Sequence, residues 1–142
     1  MILVDVNVLL YAHRRSYPDH SRYRHWLEEE IGSDRAYGMA DLVLSSFIRI
    51  VTHPSIFPSP STQAEAMSFV EDVRDRSNRV SVSPGDRYWE IHTGLCKSSK
   101  ATGNLVPDAY LAALAIESGC EWITTDRDYA RFSGLRWRHP LE

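Results

Sequence analysis

The sequence has 142 residues, which is the size of one ordinary domain. Hydrophobic residues make up 43% and charged residues 25%, which excludes a disordered chain, a collagen-like repeat and a coiled-coil rod and predicts a packed core. Sixteen Lys and Arg against nineteen Asp and Glu give a net charge of −3, which argues against a protein that coats nucleic acid through bulk positive charge.

Apolar periodicity and turn residues divide the chain into alternating strands and helices. Short aliphatic runs predict strands, whereas apolar residues three and four apart predict helices. In chain order the predicted elements are a strand at 2–6, helices at 7–14, 20–32, 39–52 and 62–73, a strand at 80–82, helices at 88–97 and 106–118, and strands at 122–125 and 135–137. Asp19 is the expected N-cap of the second helix, and Thr62 with Glu65 forms a capping box for the fourth.

This alternation predicts an α/β fold: a single domain over residues 1–142, with a central, mostly parallel sheet flanked by helices on both faces. No repeat, low-complexity tract or linker divides the chain. In such folds the functional residues gather beyond the carboxyl ends of the strands.

Cysteine content and hydrophobic segments bear on the compartment. Cys96 and Cys120 are too few for a disulfide framework and lack zinc-site spacing, so we expect a reducing, cytoplasmic setting. No apolar run approaches the roughly 20 residues of a membrane-spanning helix, so we expect no membrane association. The apolar N-terminus has no basic lead-in and contains Asp5 and Asn7, so we interpret it as a core strand rather than a signal peptide.

Three aspartates stand where a parallel sheet would bring them together. Asp5 lies near the end of the first strand, where an unpaired buried charge is costly, and no basic residue precedes Arg14. Asp126 follows a later strand, and Asp108 follows Pro107 in the first turn of an Ala-rich helix, where the helix dipole favours an anion. Taken singly, a strand-end turn accounts equally well for Asp126, and an N-terminal cap for Asp108.

Together, these aspartates define a candidate metal site. Carboxylates a few ångströms apart repel one another strongly, and a divalent cation removes that repulsion. Oxygen ligands without His or Cys select Mg²⁺, or Mn²⁺ as a substitute, rather than zinc. Mg²⁺ held by carboxylates suits chemistry on phosphates, so the pattern indicates phosphodiester hydrolysis with Asp5, Asp108 and Asp126 as metal-binding, catalytic residues.

Segments of distinctive order and spacing surround these aspartates. They are VDVNVLLYA at 4–12, FIRIVTHP at 47–54, GNLVPDA at 103–109, TDRDY at 125–129 and FSGLRWRHPL at 132–141. In these segments the sequence resembles the PIN-domain ribonucleases, and specifically the VapC-type toxins of type II toxin–antitoxin pairs. The resemblance extends over nearly the whole chain.

The resemblance implies a Mg²⁺-dependent endoribonuclease that cuts tRNA, rRNA or mRNA and so inhibits translation and growth. It further implies a homodimer and inhibition by a cognate, VapB-like antitoxin. Asp5, Asp108 and Asp126 match the family's metal-binding acids, and Asp128 matches a frequent neighbouring acid. The side chains of Asn7 and Thr125 would support the carboxylates through hydrogen bonds.

The third predicted helix departs from the family pattern, because many PIN domains place a further Glu there. Asp41 is the only carboxylate between Gly38 and Pro54, and Ser45 and Ser46 lie nearer the expected place. Three alternatives stay open: Asp41 points into the site, a serine holds a water molecule there, or the site works with fewer acids. The missing Glu bears directly on whether a second metal ion binds.

The segment 11–26 combines cations with aromatic rings, which is the chemistry of single-stranded RNA recognition. The candidate RNA-binding cations are Arg14, Arg15, Arg22 and Arg24 in this segment, with Lys97 and Lys100 on the opposite side of a groove. The alternative is that the rings belong to the core and the arginines form a solvated helix face or an antitoxin contact.

Two other functions compete with the nuclease. A catalytically weak PIN-like module that binds RNA or protein is the main alternative, and the missing Glu is its best support. A phosphatase with Asp5 as covalent nucleophile fits less well, because the Asp-x-Asp pattern of such enzymes is replaced by Asp5-Val6-Asn7.

Overall fold

The computed structural model describes all residues from 1 to 142 as five strands, six α-helices and one 3-10 helix. The strands are β1 (Ile2–Val4), β2 (Tyr37–Met39), β3 (Arg79–Ser81), β4 (Glu121–Ile123) and β5 (Trp137–Arg138). The helices are α1 (Val6–His13), α2 (His20–Gly32), α3 (Asp41–Val51), α4 (Gln63–Arg74), α5 (Tyr88–Ser99) and α6 (Leu105–Glu117), and the 3-10 helix covers Arg127–Arg131.

The five strands form one sheet in the order β3-β2-β1-β4-β5, and every pairing is parallel. The central strand β1 pairs Leu3 with Gly38 of β2 on one side and with Trp122 of β4 on the other. The chain first builds the sheet outward through β2 and β3 and then crosses to the other side of β1. This reversal puts the topological switch point between β1 and β4, where open parallel sheets leave a crevice. The predicted α/β class is confirmed.

Apolar strands and small helix residues build the core around β1. Leu3, Val4 and Trp122 are buried. On α6 the buried side chains are mostly alanines, which lets this helix approach its neighbours closely; they are Ala109, Ala112, Ala113 and Ala115. Close approach of α6 fixes the position of its first turn, which carries Asp108.

The helix ends follow the signals in the sequence. Thr62 accepts a hydrogen bond from the Glu65 amide at 3.1 Å, and the Glu65 side chain accepts one from the Thr62 amide at 3.2 Å, so the capping box is formed. Asp19 precedes α2 as expected, but it adopts a left-handed conformation with φ of 58° and makes no side-chain cap bond. Its carboxylate is therefore free to face solvent, where Arg22 lies 3.6 Å away.

Several elements differ from the sequence prediction: the first strand ends at Val4 rather than at residue 6, and the last strand is Trp137–Arg138 rather than 135–137. β2 was missed, and the helix expected from residue 39 begins at Asp41, because Tyr37-Gly38-Met39 is too short to show alternation. The last residues of the strand expected at 122–125 leave the sheet, since β4 ends at Ile123. None of the helices is long and apolar enough to cross a bilayer.

Candidate active site

The candidate site lies at the carboxyl edge of the sheet, at the switch point between β1 and β4. Asp5 directly follows β1, and its amide donates to the Ile123 carbonyl at 2.9 Å, which ties the two strand ends together. Asp126 follows β4 after a short turn, and Asp108 lies in the first turn of α6. The fold thus brings the three predicted acids to one edge.

Asp5 is the most buried of the three acids, with an exposed fraction of 4%. It is the N-cap of α1: one carboxylate oxygen accepts from the Val6 amide at 2.7 Å, and the other accepts from the Thr124 hydroxyl at 2.6 Å. The pKa of Asp5 is raised to about 6, because burial and, to a smaller extent, the charges of Asp108 and Asp126 outweigh the lowering effect of these hydrogen bonds. Ionised Asp5 is therefore a costly group that a cation would stabilise.

Thr124 connects the parts of the site. Its buried hydroxyl donates to Asp5 and accepts from the Asn7 side-chain amide at 3.3 Å and from the Asp126 backbone amide at 3.0 Å. Sequence reasoning singled out the neighbouring Thr125 instead. The signal for Thr124 was the end of β4, because the first residue beyond a strand still follows its alternation into the interior.

Asn7 and Thr125 also meet, although not through the threonine hydroxyl. The Asn7 side-chain oxygen accepts a hydrogen bond from the backbone amide of Thr125 at 3.5 Å. Asn7 therefore braces the turn after β4 from both sides, through Thr124 and Thr125. The predicted hydrogen bonds from Asn7 and Thr125 side chains to the carboxylates are not formed here: Asn7 reaches Asp5 only through the Thr124 hydroxyl, and Thr125 takes part through its backbone amide.

Asp108 is half-buried, and the hydroxyl of Tyr129 donates to it at 3.5 Å. Burial raises the pKa of Asp108, and the nearby Asp126 carboxylate raises it as well. Tyr129 is buried on the 3-10 helix, where burial and the three acids raise the pKa of its phenol, so it stays a neutral donor. The sequence prediction did not include Tyr129, and its place one turn after Asp126 is the signal that could have found it.

Asp126 caps the 3-10 helix, because its carboxylate accepts a hydrogen bond from the Asp128 amide at 2.8 Å. The side chain of Asp128 is exposed and lies 3.5 Å from Arg131. Asp128 thus contributes its amide to the site's geometry, while its carboxylate pairs with a surface cation.

The acid of the third helix, Asp41, begins that helix just after β2 but pairs away from the other three acids. The Asp41 carboxylate is 71% exposed and lies 3.7 Å from Arg74 of α4, so it faces a neighbouring helix rather than the three acids. Of the alternatives left by the sequence, the inward-pointing Asp41 is wrong for this arrangement. Ser45 is exposed and Ser46 is half-buried on α3.

The candidate RNA-binding cations occupy different environments. Arg14 makes contacts within the protein: it donates to the Ser59 carbonyl at 2.8 Å, and its guanidinium lies over the Phe57 ring, 4.2 Å from the ring centroid. Arg24 pairs with Glu28 at 2.8 Å, and Arg22 lies near Asp19. The remaining candidates are exposed; they are Arg15, Lys97 and Lys100.

The donor chemistry of the edge fits a hard divalent cation. All three acids offer carboxylate oxygens, and the charges of Asp108 and Asp126 both act on Asp5. A bound cation would offset this repulsion between the carboxylates. As placed, however, the side chains are spaced more widely than a ready-made cage, since no three His, Cys, Asp or Glu groups lie within reach of one ion.

Comparison with known proteins agrees with this architecture. The family model described as PIN domain matches residues 2–135. Ribonuclease VapC43 of Mycobacterium tuberculosis is 41% identical over 142 residues, which cover all of this chain and 97% of that protein. Ribonuclease VapC25 of the same organism is 41% identical over 140 residues, or 99% of each chain.

Solved structures share the fold at much lower identity. VapBC2 from Rickettsia felis, bound to a DNA fragment of its promoter, superimposes with a TM-score of 0.70 at 19% identity and covers 98% of both chains. VapBC-1 from nontypeable Haemophilus influenzae gives a TM-score of 0.69 at 16% identity over the whole of both chains. The fold and the carboxylate edge define a PIN domain. The full-length relatives identify the group within this family: the chain belongs to the VapC ribonucleases of the PIN-domain family.

Proposed function

We propose that this chain is a metal-dependent endoribonuclease and the toxin of a toxin–antitoxin pair. The observation that carries the proposal is the convergence of Asp5, Asp108 and Asp126 at the switch point, in a chain whose full-length relatives are named VapC ribonucleases. The substrate is cellular RNA, with tRNA, rRNA and mRNA as the candidate classes. A cytoplasmic location follows from that substrate.

Asp5, Asp108 and Asp126 would hold Mg²⁺, with Mn²⁺ as a substitute. The ion supplies Lewis-acid activation of water and stabilisation of negative charge on the phosphate. The protein's part is to hold the carboxylates in position. Thr124 fixes one oxygen of Asp5, and the Tyr129 phenol donates to Asp108 from a position that it keeps because it is buried.

Purified protein and two variants test the proposal. Asp5→Asn and Asp108→Asn keep the size of each side chain but remove the charge, so both should lose RNA cleavage in Mg²⁺ by at least a hundredfold. Asp41→Asn is the matched control, because its carboxylate faces Arg74 rather than the site, and it should cleave like the wild type. Cleavage retained by both site variants would refute the assignment.

A VapB-like antitoxin and a second copy of the chain are the proposed partners. The support is the family membership together with solved relatives that are VapB–VapC complexes. The adjacent reading frame in the genome should encode a small DNA-binding protein, and co-expression with it should suppress growth arrest. Size-exclusion chromatography with light scattering should give twice the mass of one chain.

A binding module without turnover is the second candidate, favoured by the absence of an acid from α3 at the site. It predicts RNA affinity that is the same with and without chelator. It also predicts no turnover in Mg²⁺ or Mn²⁺ at any enzyme concentration.

A further inference from the structure

We propose that a recess beside the three acids binds one unstacked nucleobase of the RNA, next to the bond that is cut. The inference rests on the proposed ribonuclease function and adds a substrate subsite to it. The recess has a volume of about 360 Å³, which is within the range of roughly 300–1,000 Å³ typical of small-molecule pockets. It is lined by Tyr11, Tyr17, Pro18, Asp19, Tyr23 and Thr125.

Three tyrosines line this recess: Tyr23 is buried in the core, and Tyr11 and Tyr17 are half-buried against it. The ring centroids of Tyr11 and Tyr17 are 4.6 Å apart with the planes at 70°, and those of Tyr11 and Tyr23 are 5.0 Å apart at 53°. Tyr17 also packs edge-on against Phe57 at 6.2 Å, so its orientation is held from behind. Rings fixed at different angles leave a face for a base, and a base stacked on an aromatic ring gains roughly 1–3 kcal/mol.

The recess adjoins the acids through Thr125. Thr125, which lines it, directly precedes Asp126, and its amide is held by Asn7 in the network around Asp5. A base in the recess and a phosphate at the acids would therefore be neighbours along one strand. Because a base must leave its stack to enter, the occupant is a single-stranded or looped nucleotide.

A second recess of about 710 Å³ continues from the first and shares Tyr17 and Asp19 with it. It is lined further by cations and small polar side chains: Arg15, His20, Ser21, Arg22 and Arg24. Arg15 is exposed and has no acidic partner within salt-bridge distance, so it is available to a phosphate. Rings followed by cations along one path fit a nucleotide chain better than an apolar protein segment.

Asp19 gives the recess a preference among bases. Its carboxylate oxygens can accept hydrogen bonds, since the left-handed backbone leaves them uncapped and the side chain is 55% exposed at the rim, with Arg22 3.6 Å away. Adenine, cytosine and guanine can donate to it from an exocyclic amino group, whereas uracil can donate only from its ring N3–H, which lies between two carbonyl oxygens that a carboxylate repels. The geometry therefore favours an amino-bearing base over uracil.

Binding of short RNA, measured separately from cleavage, tests the subsite. Fluorescein-labelled single-stranded oligo(A), oligo(C) and oligo(U) in EDTA are titrated with wild-type protein, Tyr17→Ala and Tyr17→Phe, and anisotropy gives the affinities. Tyr17→Ala should weaken oligo(A) binding by roughly 5- to 100-fold, because the stacking face is lost. Tyr17→Phe should bind like the wild type, and oligo(U) should bind more weakly than oligo(A) or oligo(C).

Trp89→Ala is the matched control, since Trp89 is an exposed aromatic residue at the start of α5. The start of α5 lies beside Glu117 at the C-terminal end of α6, whereas Asp108 lies at the N-terminal end. Removal of the Trp89 ring should therefore leave the affinity for oligo(A) unchanged. A second measurement needs no variant. A single-stranded RNA that carries one 2-aminopurine base should lose fluorescence on binding wild-type protein, because the base stacks on the tyrosine rings.

The outcomes separate the subsite from the nuclease. Wild-type cleavage with no 2-aminopurine quenching and with unchanged binding by Tyr17→Ala overturns the subsite and leaves the nuclease intact. Absence of cleavage together with quenching and weaker binding by Tyr17→Ala supports the recess and refutes the nuclease.

Discussion

The buried hydroxyl of Thr124 joins residues that lie far apart in the sequence. It is the one side-chain oxygen in contact with Asp5, Asn7 and the amide of Asp126, so the ends of β1 and β4 are held in register through it. At the scale of single residues, the site therefore depends on a neutral group as much as on its acids.

Replacement of Thr124 by Val tests this role. Valine has nearly the same shape, but it leaves one oxygen of the Asp5 carboxylate and the Asp126 amide without a partner, and each unpaired buried group costs roughly 1–3 kcal/mol. We expect Thr124→Val to lower the free energy of unfolding by about 2–4 kcal/mol in urea titrations and to reduce RNA cleavage. Thr124→Ser keeps the hydroxyl and should restore most of both; equal losses in Ser and Val variants would contradict the hydrogen-bonding role.

The ionisation of Asp5 gives the fold a specific pH dependence. Burial raises the pKa of Asp5 from 3.8 to about 6, so the charged form is less favourable in the folded chain than in the unfolded chain. The contribution of Asp5 to stability is fully present below pH 3.8 and is lost as the pH rises through about 6. A shift of this size corresponds to roughly 2–3 kcal/mol.

The comparison of Asp5→Asn with the wild type isolates this effect in EDTA. Between pH 4 and pH 8 the difference in unfolding free energy should move by about 2–3 kcal/mol in favour of the variant, with most of the change between pH 4 and about 6. Hydrogen bonds lost on substitution add only a constant offset. A flat difference for Asp5→Asn would contradict the buried charge.

The elements of this fold differ in how far the sequence specifies them. The amphipathic helices and the capping box at Thr62 and Glu65 carry local signals that tertiary structure does not override. The strand β2 has three residues and no alternation, so only its pairing with β1 and β3 defines it. The three acids, by contrast, could be predicted from the sequence, because they stand beside the ends of predicted strands and helices. Where β4 stops, and hence which threonine points inward, could not be predicted.

The close packing of β2 against β1 predicts a stability effect at Gly38. A Cβ there would lie 3.0 Å from the Ile2 carbonyl oxygen and 3.0 Å from a Val82 methyl group. Because the carbonyl belongs to the central strand and cannot move cheaply, Gly38→Ala should lower the free energy of unfolding by about 1–3 kcal/mol in urea titrations. Gly32→Ala, which meets nothing within 4 Å, should cost much less; equal losses would contradict the packing argument.

Asp108, in the first turn of α6, allows metal binding to be tested by a measurement that does not depend on RNA cleavage. If Asp108 is a ligand, Mn²⁺ in excess over its Kd should raise the wild-type Tm, because a ligand that binds only the folded state stabilises it. A hundredfold excess corresponds to about 2.7 kcal/mol. Asp108→Asn should lose this rise and Asp41→Asn should keep it, and EDTA should reverse it. An equal rise in all three proteins would contradict binding at this edge.

Across the whole molecule, the net charge of −3 conceals a division of charge. Acids converge at the switch point, whereas a path of tyrosines and arginines begins directly beside them at Thr125. Bulk charge excludes a coat on nucleic acid but leaves room for an enzyme that holds one strand and cuts it. The fold places the acids and this path of tyrosines and arginines side by side.

The ends of the RNA products report most directly on how the bond is broken. When water attacks, its oxygen bonds to phosphorus, the bond to the 3′ oxygen breaks, and that oxygen takes up a proton, leaving a 3′-hydroxyl and a 5′-phosphate. We expect only these ends from the wild type in Mg²⁺, with no products in EDTA or from Asp108→Asn. A 2′,3′-cyclic phosphate, or cleavage undiminished in EDTA, would contradict a metal-dependent hydrolase built on Asp5, Asp108 and Asp126.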